Sequence, residues 1–67
     1  MSKLPERLKS IRKEKKQTQE QIANLLKVNR VTYTCWENGK HQPDIDQIIE
    51  LSKYYKVSVD YLVGRVD

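Results

Sequence analysis

The stretch that decides the fold is Thr18–Lys40, which reads TQEQIANLLKVNRVTYTCWENGK. Its opening Thr-Gln-Glu-Gln is a capping box, in which the threonine hydroxyl accepts from the second glutamine's N–H while that glutamine's side chain reaches back. Asn29 is a second N-cap, and Asn38-Gly39 is a pair that tolerates positive φ and ends helices. The stretch therefore predicts a short helix, a tight turn and a second short helix over about residues 18–38.

Three further helices are predicted around this pair, and no run of residues indicates a strand. Pro5 suits the first turn of a helix over residues 5–16, because its missing N–H is not needed there. A fourth helix is predicted over residues 44–55, where the opening aspartate is followed by glutamine at the capping-box spacing. Ser58 caps a short fifth helix. The sequence thus predicts an all-α fold of five helices.

Apolar residues at helical spacing predict the core. Trp36 is expected to stay partly exposed, so that its indole N–H finds a partner. The predicted core side chains are Leu4, Leu8, Ile11, Ile22, Ala23, Leu25, Leu26, Tyr33, Trp36, Ile45, Ile48, Ile49, Leu51 and Tyr55.

Length and composition exclude several classes of protein. With 67 residues, 37% of them hydrophobic and 33% charged, the chain fits one small globular domain over residues 1–67. No apolar run resembles a secretory signal or a membrane span, so a cytoplasmic location is expected and no membrane partner. One Cys and one His do not make a zinc site, and two distant glycines do not make a phosphate loop. We therefore expect no metal, no cofactor and no enzyme activity.

Charge is unevenly distributed along the chain. Residues 1–33 carry nine Lys and Arg against three acids, a net charge of +6, and residues 34–67 carry four against six, a net charge of −2. A basic half on a small domain favours a polyanionic partner, although charge alone fits a solvated face equally well. A capped, outwardly polar helix end can enter a DNA major groove, which is wide enough to admit it.

In many spaced positions the sequence resembles the phage repressor/Cro type of helix-turn-helix, the XRE family, over nearly the whole chain. The residues that carry the resemblance are Thr18-Gln19-Glu20, Ile22-Ala23, Leu26, Val28-Asn29-Arg30, Thr32-Tyr33, Trp36 to Lys40, Pro43 and the tail 55–62. The resemblance implies a compact, lambda-repressor-like bundle of five helices. It further implies a transcriptional regulator, in the first place a repressor, that binds a palindromic operator in double-stranded DNA as a homodimer. Such a protein acts in the cytoplasm on the nucleoid of a prokaryote or phage host.

By matching position, the resemblance places the third helix in the major groove. The guanidinium of Arg30 suits guanine O6 and N7, and Val31 can pack on a thymine methyl; the alternatives are a phosphate contact for Arg30 and plain surface for Val31. The expected base contacts are Arg30, Val31, Thr34 and Cys35. The expected phosphate contacts are Gln19, Lys40 and the backbone near Asn38, with Thr18, Lys27 and Thr32 beside them; for Thr32 a neutral helix position is the equal alternative. The resemblance also implies that Gln19 supports the recognition helix.

The resemblance also implies an ion pair between Arg12 in the first helix and Glu37 at the end of the third. Lys27 stands where the family prefers glycine, and in a left-handed conformation lysine costs about 1 kcal/mol relative to glycine.

The fifth helix carries more apolar side chains than one short turn needs for the core. Val59, Tyr61 and Val63 are therefore the predicted two-fold contact of the homodimer, the alternative being that this helix only completes the core.

Two other functions stay open at this point. One is a protein-interaction module on the same fold, such as an antitoxin; Arg30, Lys27 and Lys40 around the third helix favour DNA over it. The other is a nonspecific nucleic-acid binder, which would show weak sequence preference and a steep salt dependence. No effector-binding domain is expected within the chain, which is either a stand-alone regulator or the DNA-binding part of a longer protein.

Overall fold

The computed structural model describes residues 3–65, and within this range every regular element is an α-helix. The predicted class and order of five helices are confirmed. The first helix ends earlier than predicted, because Lys16 leaves the helical region with φ of 58°. The assignment of residues 1–67 to one domain stays a prediction, and residues 1, 2, 66 and 67 lie outside the described residues. The helices are α1 (Leu4–Glu14), α2 (Gln19–Leu25), α3 (Arg30–Asn38), α4 (Ile45–Tyr55) and α5 (Val59–Val63).

Side-chain caps explain where the helices begin and end. Thr18 and Asp44 form complete capping boxes ahead of α2 and α4. Asn29 and Ser58 each accept a hydrogen bond from a first-turn amide, of α3 and α5 respectively. Gly39 ends α3 with φ of 78°, a conformation that glycine adopts without strain. Four N-termini are thus fixed by residues that the sequence identifies locally.

The core forms where α1 packs against α3 and α5, α2 packs against α3, and α4 packs against α5. The aromatic rings of Tyr33 and Trp36 meet edge to face, with centroids 5.7 Å apart. The buried core side chains are Leu4, Leu8, Ile11, Ile22, Ala23, Tyr33, Trp36, Leu51, Tyr55 and Leu62.

Four predictions about burial are wrong. Trp36, expected to be partly exposed, is 2% exposed, because its ring lies within the core beside Tyr33. Leu25, Ile45 and Ile49 were predicted to be core residues, yet they are 49%, 62% and 36% exposed. Ile45 and Ile49 are one turn apart on the same flank of α4, and no other described helix covers that flank.

A clasp joins α5 to the start of the chain. Arg7 donates through Nη1 to the Tyr61 carbonyl at 2.8 Å, and its guanidinium lies 4.1 Å from the centroid of the Tyr61 ring, within cation–π range. Gly64 follows α5 with φ of 85°, and a Cβ there would be 2.8 Å from the Cβ of Lys3. Both the conformation and the close approach therefore require glycine at this position.

Three lysines, each just after a helix, adopt the left-handed conformation. Lys16, Lys27 and Lys56 have φ of 58°, 59° and 58° after α1, α2 and α4. The left-handed conformation anticipated for Lys27 is thus present, and it recurs at two positions that the sequence did not single out. The cost of roughly 1–2 kcal/mol per residue is partly offset because a cation is favoured at a helix C-terminus.

Replacing Lys56 by glycine should stabilise the chain. Relief of the left-handed strain exceeds the added entropy of the unfolded chain, so we expect Lys56→Gly to raise the free energy of unfolding by about 0.5–1 kcal/mol. Lys53→Gly, in the last turn of α4 with helical φ, should lower it by about 1 kcal/mol. Urea denaturation of both variants checks this, and shifts of the same sign would contradict it.

Candidate nucleic-acid interface

One side of α3 faces solvent while the other forms part of the core. Arg30, Val31 and Thr32, the first residues of the helix, are all exposed, and Val31 is 65% exposed despite its apolar side chain. Tyr33 and Trp36 point inward. The residues at the N-terminal end of α3 that are expected to contact bases are thus accessible to a ligand.

The turn between α2 and α3 is held by local backbone and side-chain bonds. The Val28 N–H donates to the Ala23 carbonyl at 2.9 Å, and the side chain of Asn29 accepts from the Val31 N–H at 2.7 Å. Lys27 supplies the positive φ that reverses the chain between them. These bonds fix how far the N-terminus of α3 projects from α2.

A polar chain of three side chains, which we call the brace, joins α2 to α3. Thr34 donates through its hydroxyl to Gln19 Oε1 at 2.8 Å, and Gln19 Nε2 donates to Glu37 Oε1 at 3.1 Å. Thr34 and Glu37 lie on neighbouring turns of α3, so Gln19 spans them from the first residue of α2. One N–H of the Gln19 amide remains for a partner outside the chain.

Arg12 extends the brace to α1. Its Nε lies 2.7 Å from Glu37 Oε2 and its Nη2 lies 3.2 Å from Glu37 Oε1, a bidentate ion pair. A third guanidinium nitrogen, Nη1, donates to the Gln17 carbonyl at 2.9 Å. The side chains of Arg12 and Glu37 are 12% and 1% exposed, so the pair is largely removed from water. The structure thus brings together the two residues that the resemblance paired.

The environment of Glu37 keeps its carboxylate ionised. Burial by itself raises its pKa, but the hydrogen bonds from Arg12 and Gln19 outweigh burial and hold the pKa below its ordinary value of 4.5. Burial raises the pKa of the Tyr33 hydroxyl, and likewise that of Tyr55, so both stay protonated over the usual range of pH. The carboxylate of Glu37 is thus the fixed negative charge within this part of the fold.

The remaining predicted contact residues lie around this frame. Cys35 is half-buried, next to Thr34 in the second turn of α3. The expected phosphate contacts Thr18, Lys27, Thr32, Asn38 and Lys40 are all exposed, and Gln19 is half-buried within the brace.

The three predicted dimer residues are half-buried on α5, where Tyr61 also lies under the guanidinium of Arg7. They are Val59, Tyr61 and Val63. Among residues 3–65 no cluster of three or more His, Cys, Asp or Glu side chains could hold a metal ion. No helix in the described part of the chain is long and apolar enough to cross a membrane.

The link from Thr34 through Gln19 to Glu37 was missed in the sequence. Gln19 was assigned a phosphate contact and general support of the third helix, and Thr34 a base contact. The partners are separated by 15 and 18 residues, so no local periodicity signals the bonds. A polar residue at the start of α2 and another in the middle of α3 are the only signal.

Known proteins are similar to this chain in sequence and in fold. A family model described as a helix-turn-helix domain matches residues 6–67. The uncharacterized HTH-type transcriptional regulator YqaE of Bacillus subtilis is 43% identical over 58 residues, which are 87% of this chain and 50% of YqaE. The cryptic phage CTXphi transcriptional repressor RstR of Vibrio cholerae is 32% identical over 58 residues, which are 87% of this chain and 52% of RstR.

A crystal structure of a transcriptional regulator from Listeria innocua superimposes with a TM-score of 0.94 at 36% sequence identity. The match covers 100% of this chain and 63% of that one. The chain thus spans about half the length of the curated relatives it matches.

Loss of the Glu37 carboxylate should destabilise the fold strongly. In Glu37→Ala the guanidinium of Arg12 is left buried without its partner, so we expect the free energy of unfolding to fall by about 3 kcal/mol. Glu14→Ala, which removes an exposed carboxylate at the end of α1, should change it by less than about 0.5 kcal/mol. Thermal unfolding of both variants checks this, and equal melting temperatures would refute the role of the pair.

The same carboxylate should make the free energy of unfolding depend on pH in the acidic range. Since the pKa of Glu37 is lower in the folded than in the unfolded chain, its stabilisation is complete above pH 4.5 and is lost as pH falls through the folded pKa. The stability difference between the wild type and Glu37→Gln should therefore be constant above about pH 5 and shrink below about pH 4. Urea titrations across this range measure it; a difference that stays constant down to about pH 3 would contradict the lowered pKa.

Proposed function

Since the chain belongs to the XRE-type helix-turn-helix family of transcriptional regulators, we propose that it is a sequence-specific repressor that binds a two-fold operator as a homodimer. Its partner is double-stranded DNA, and α3 is the helix that enters the major groove. We assign it no catalytic activity, metal or cofactor.

The exposed N-terminal end of α3 is the observation that carries this proposal. Arg30 and Val31 stand in the first turn of α3, held outward by the Asn29 cap and by the brace behind them. An exposed arginine beside an exposed valine suits a base step where guanine O6 and N7 and a thymine methyl lie next to each other.

The brace restricts what Thr34 can recognise. Its hydroxyl hydrogen is donated to Gln19, so toward a base edge the oxygen can only accept. It therefore matches the amino groups of adenine N6 or cytosine N4, which are the donors in the major groove. Cys35, half-buried beside it, contributes a small apolar contact at the same depth.

The proposed phosphate contacts surround the reading end of α3. Gln19 offers the free N–H of its amide, and Lys27 and Lys40 offer exposed ammonium groups on either side of α3. Thr18, Thr32 and the backbone near Asn38 lie along the same border. Such contacts position the protein without reading sequence, and they make affinity fall as salt rises.

The size of the domain supports a homodimer. Its longest dimension is 28 Å, whereas successive major grooves on one face of DNA are about 34 Å apart. One copy therefore reads one groove, and a two-fold pair reads two. We place the two-fold contact on α5, at Val59, Tyr61 and Val63, where the clasp with Arg7 already fixes the ring of Tyr61.

Repression is the simplest consequence of such binding, because a dimer seated across two grooves excludes other proteins from the same DNA. RstR, which is similar over most of this chain, is a transcriptional repressor. The proposed location is the cytoplasm, on the nucleoid.

Selection of duplexes from a random DNA library tests the proposal. At about 150 mM salt, where nonspecific affinity is weak, we expect a palindromic site with half-sites about one helical turn apart. Arg30→Ala should relax one guanine position in each half-site, at a cost of about 1–3 kcal/mol. No enriched motif from the folded protein would refute sequence-specific binding, and a single half-site would refute the dimer.

Lys40→Ala is the matched control. Because a phosphate contact carries no sequence information, this variant should weaken binding to all duplexes alike and reduce the salt slope by about 1. A change of motif in Lys40→Ala, or an unchanged motif in Arg30→Ala, would contradict the assigned roles.

A further inference from the structure

A groove lies between the end of α2 and the first half of α4, and it meets the interface described above at Lys27. Leu25, Leu26 and Lys27 line it from the α2 side, and Asp44, Asp46, Gln47 and Glu50 line it from the α4 side. No residue of α3 lines it. Its volume is about 290 Å³, just below the roughly 300–1,000 Å³ of small-molecule pockets. The groove therefore has room for one or two side chains of another protein.

The groove is apolar at its wall and acidic at its rim. Leu25, which ends α2, is 49% exposed although it lies beside the core residue Ala23. Asp46 and Glu50 are one turn apart on α4 and both exposed, and no other described side chain bonds to either carboxylate. The net charge of the chain is +4, so this acidic rim has the opposite sign to the chain as a whole. An apolar wall beside free carboxylates fits an apolar side chain flanked by cations.

Other occupants fit the groove less well. DNA is excluded because the carboxylates of Asp46 and Glu50 repel phosphates. A two-fold pairing of two grooves brings the same carboxylates of two copies together. Val31, with Arg30 beside it, is an exposed apolar side chain with a basic neighbour. If Val31 of one copy docked into the groove of a second copy, the contact would be head-to-tail and would build an open chain of copies instead of a closed dimer. It would also make Val31 inaccessible to DNA.

We propose that this groove binds a segment of a different protein, a basic amphipathic helix that places one or two apolar side chains against Leu25 and Leu26 and its Lys or Arg residues against Asp46 and Glu50. The groove adjoins the proposed DNA interface at Lys27, while its carboxylates lie on α4, outside that interface. The proposal does not depend on the DNA-binding function.

Binding of two synthetic peptides to the isotope-labelled chain, followed by amide chemical shifts, tests this proposal. One peptide is a 12-residue amphipathic helix of Leu and Lys, and the other has Glu in place of Lys. The Lys peptide should shift amides of residues 24–27 and 44–50 and should bind more weakly as salt rises. The Glu peptide should leave these amides unchanged. Failure of the Lys peptide to shift them, or equal shifts with both peptides, would overturn the proposal.

Paired variants separate the groove from general charge and general hydrophobicity. Glu50→Lys and Leu25→Ser should weaken binding of the Lys peptide by about fivefold to tenfold. Their controls, Glu14→Lys on α1 and Ile45→Ser on the uncovered flank of α4, should stay within about twofold. Equal losses in a variant and its control would overturn the proposal.

Self-association is checked in the same spectra without peptide. Amide shifts of the groove and of residues 30–32 that grow with protein concentration would assign the groove to a second copy and overturn the proposal. Shifts that do not change with concentration support it.

Discussion

The structure depends on one buried negative charge, the carboxylate of Glu37. Its side chain is 1% exposed, and a charge so far from water is tolerated only with close partners. Arg12 supplies two hydrogen bonds from α1, and Gln19 supplies one from α2. Three helices thus converge on a single group. Removing any one of these contacts leaves a polar group buried without its partner, so the arrangement of the three helices is specified more strictly than apolar packing alone would require.

This constraint connects the stability of the fold to recognition. Gln19 fixes the start of α2 to the middle of α3 through Thr34 and Glu37, and the N-terminal end of α3 projects beyond that point. A reading helix must be held to within about 0.5 Å for hydrogen bonds to base edges to form. The brace lies one turn behind Arg30 and Val31, so the same bonds that resist unfolding also limit the motion of the reading side chains.

The helices could be predicted because they depend on local sequence, whereas the burial of several side chains could not, because it depends on tertiary contacts. Thr18, Asn29, Asp44 and Ser58 are caps in the sequence and in the structure, because a cap depends only on residues two or three positions away. The exposure of Leu25 depends on which neighbours cover the end of a helix, and periodicity does not contain that information. Periodicity fails in the same way for Ile45 and Ile49 on α4. Both belong to an apolar pattern, but they lie on a part of the helix that other helices do not cover.

The Arg12–Glu37 pair and the support of the third helix by Gln19 came from resemblance, not from local pattern, whereas neither source specified the bonds of Gln19 to Thr34 and Glu37. The latter join residues 15 and 18 positions apart, a separation set by how α2 and α3 cross.

The separation of charge on the surface has a physical consequence for the two proposed ligands. The DNA interface is bordered by Lys27 and Lys40, and the groove by Asp46, Glu50 and the same Lys27, on a domain at most 28 Å long. Charges within a Debye length of about 8 Å at physiological salt still act on one another. A basic segment approaching the groove is attracted by the carboxylates and, once DNA is bound, by nearby phosphates as well. When Lys27 holds a DNA phosphate, its ammonium group no longer opposes a basic segment at the groove, so the two proposed ligands are expected to favour one another through electrostatics.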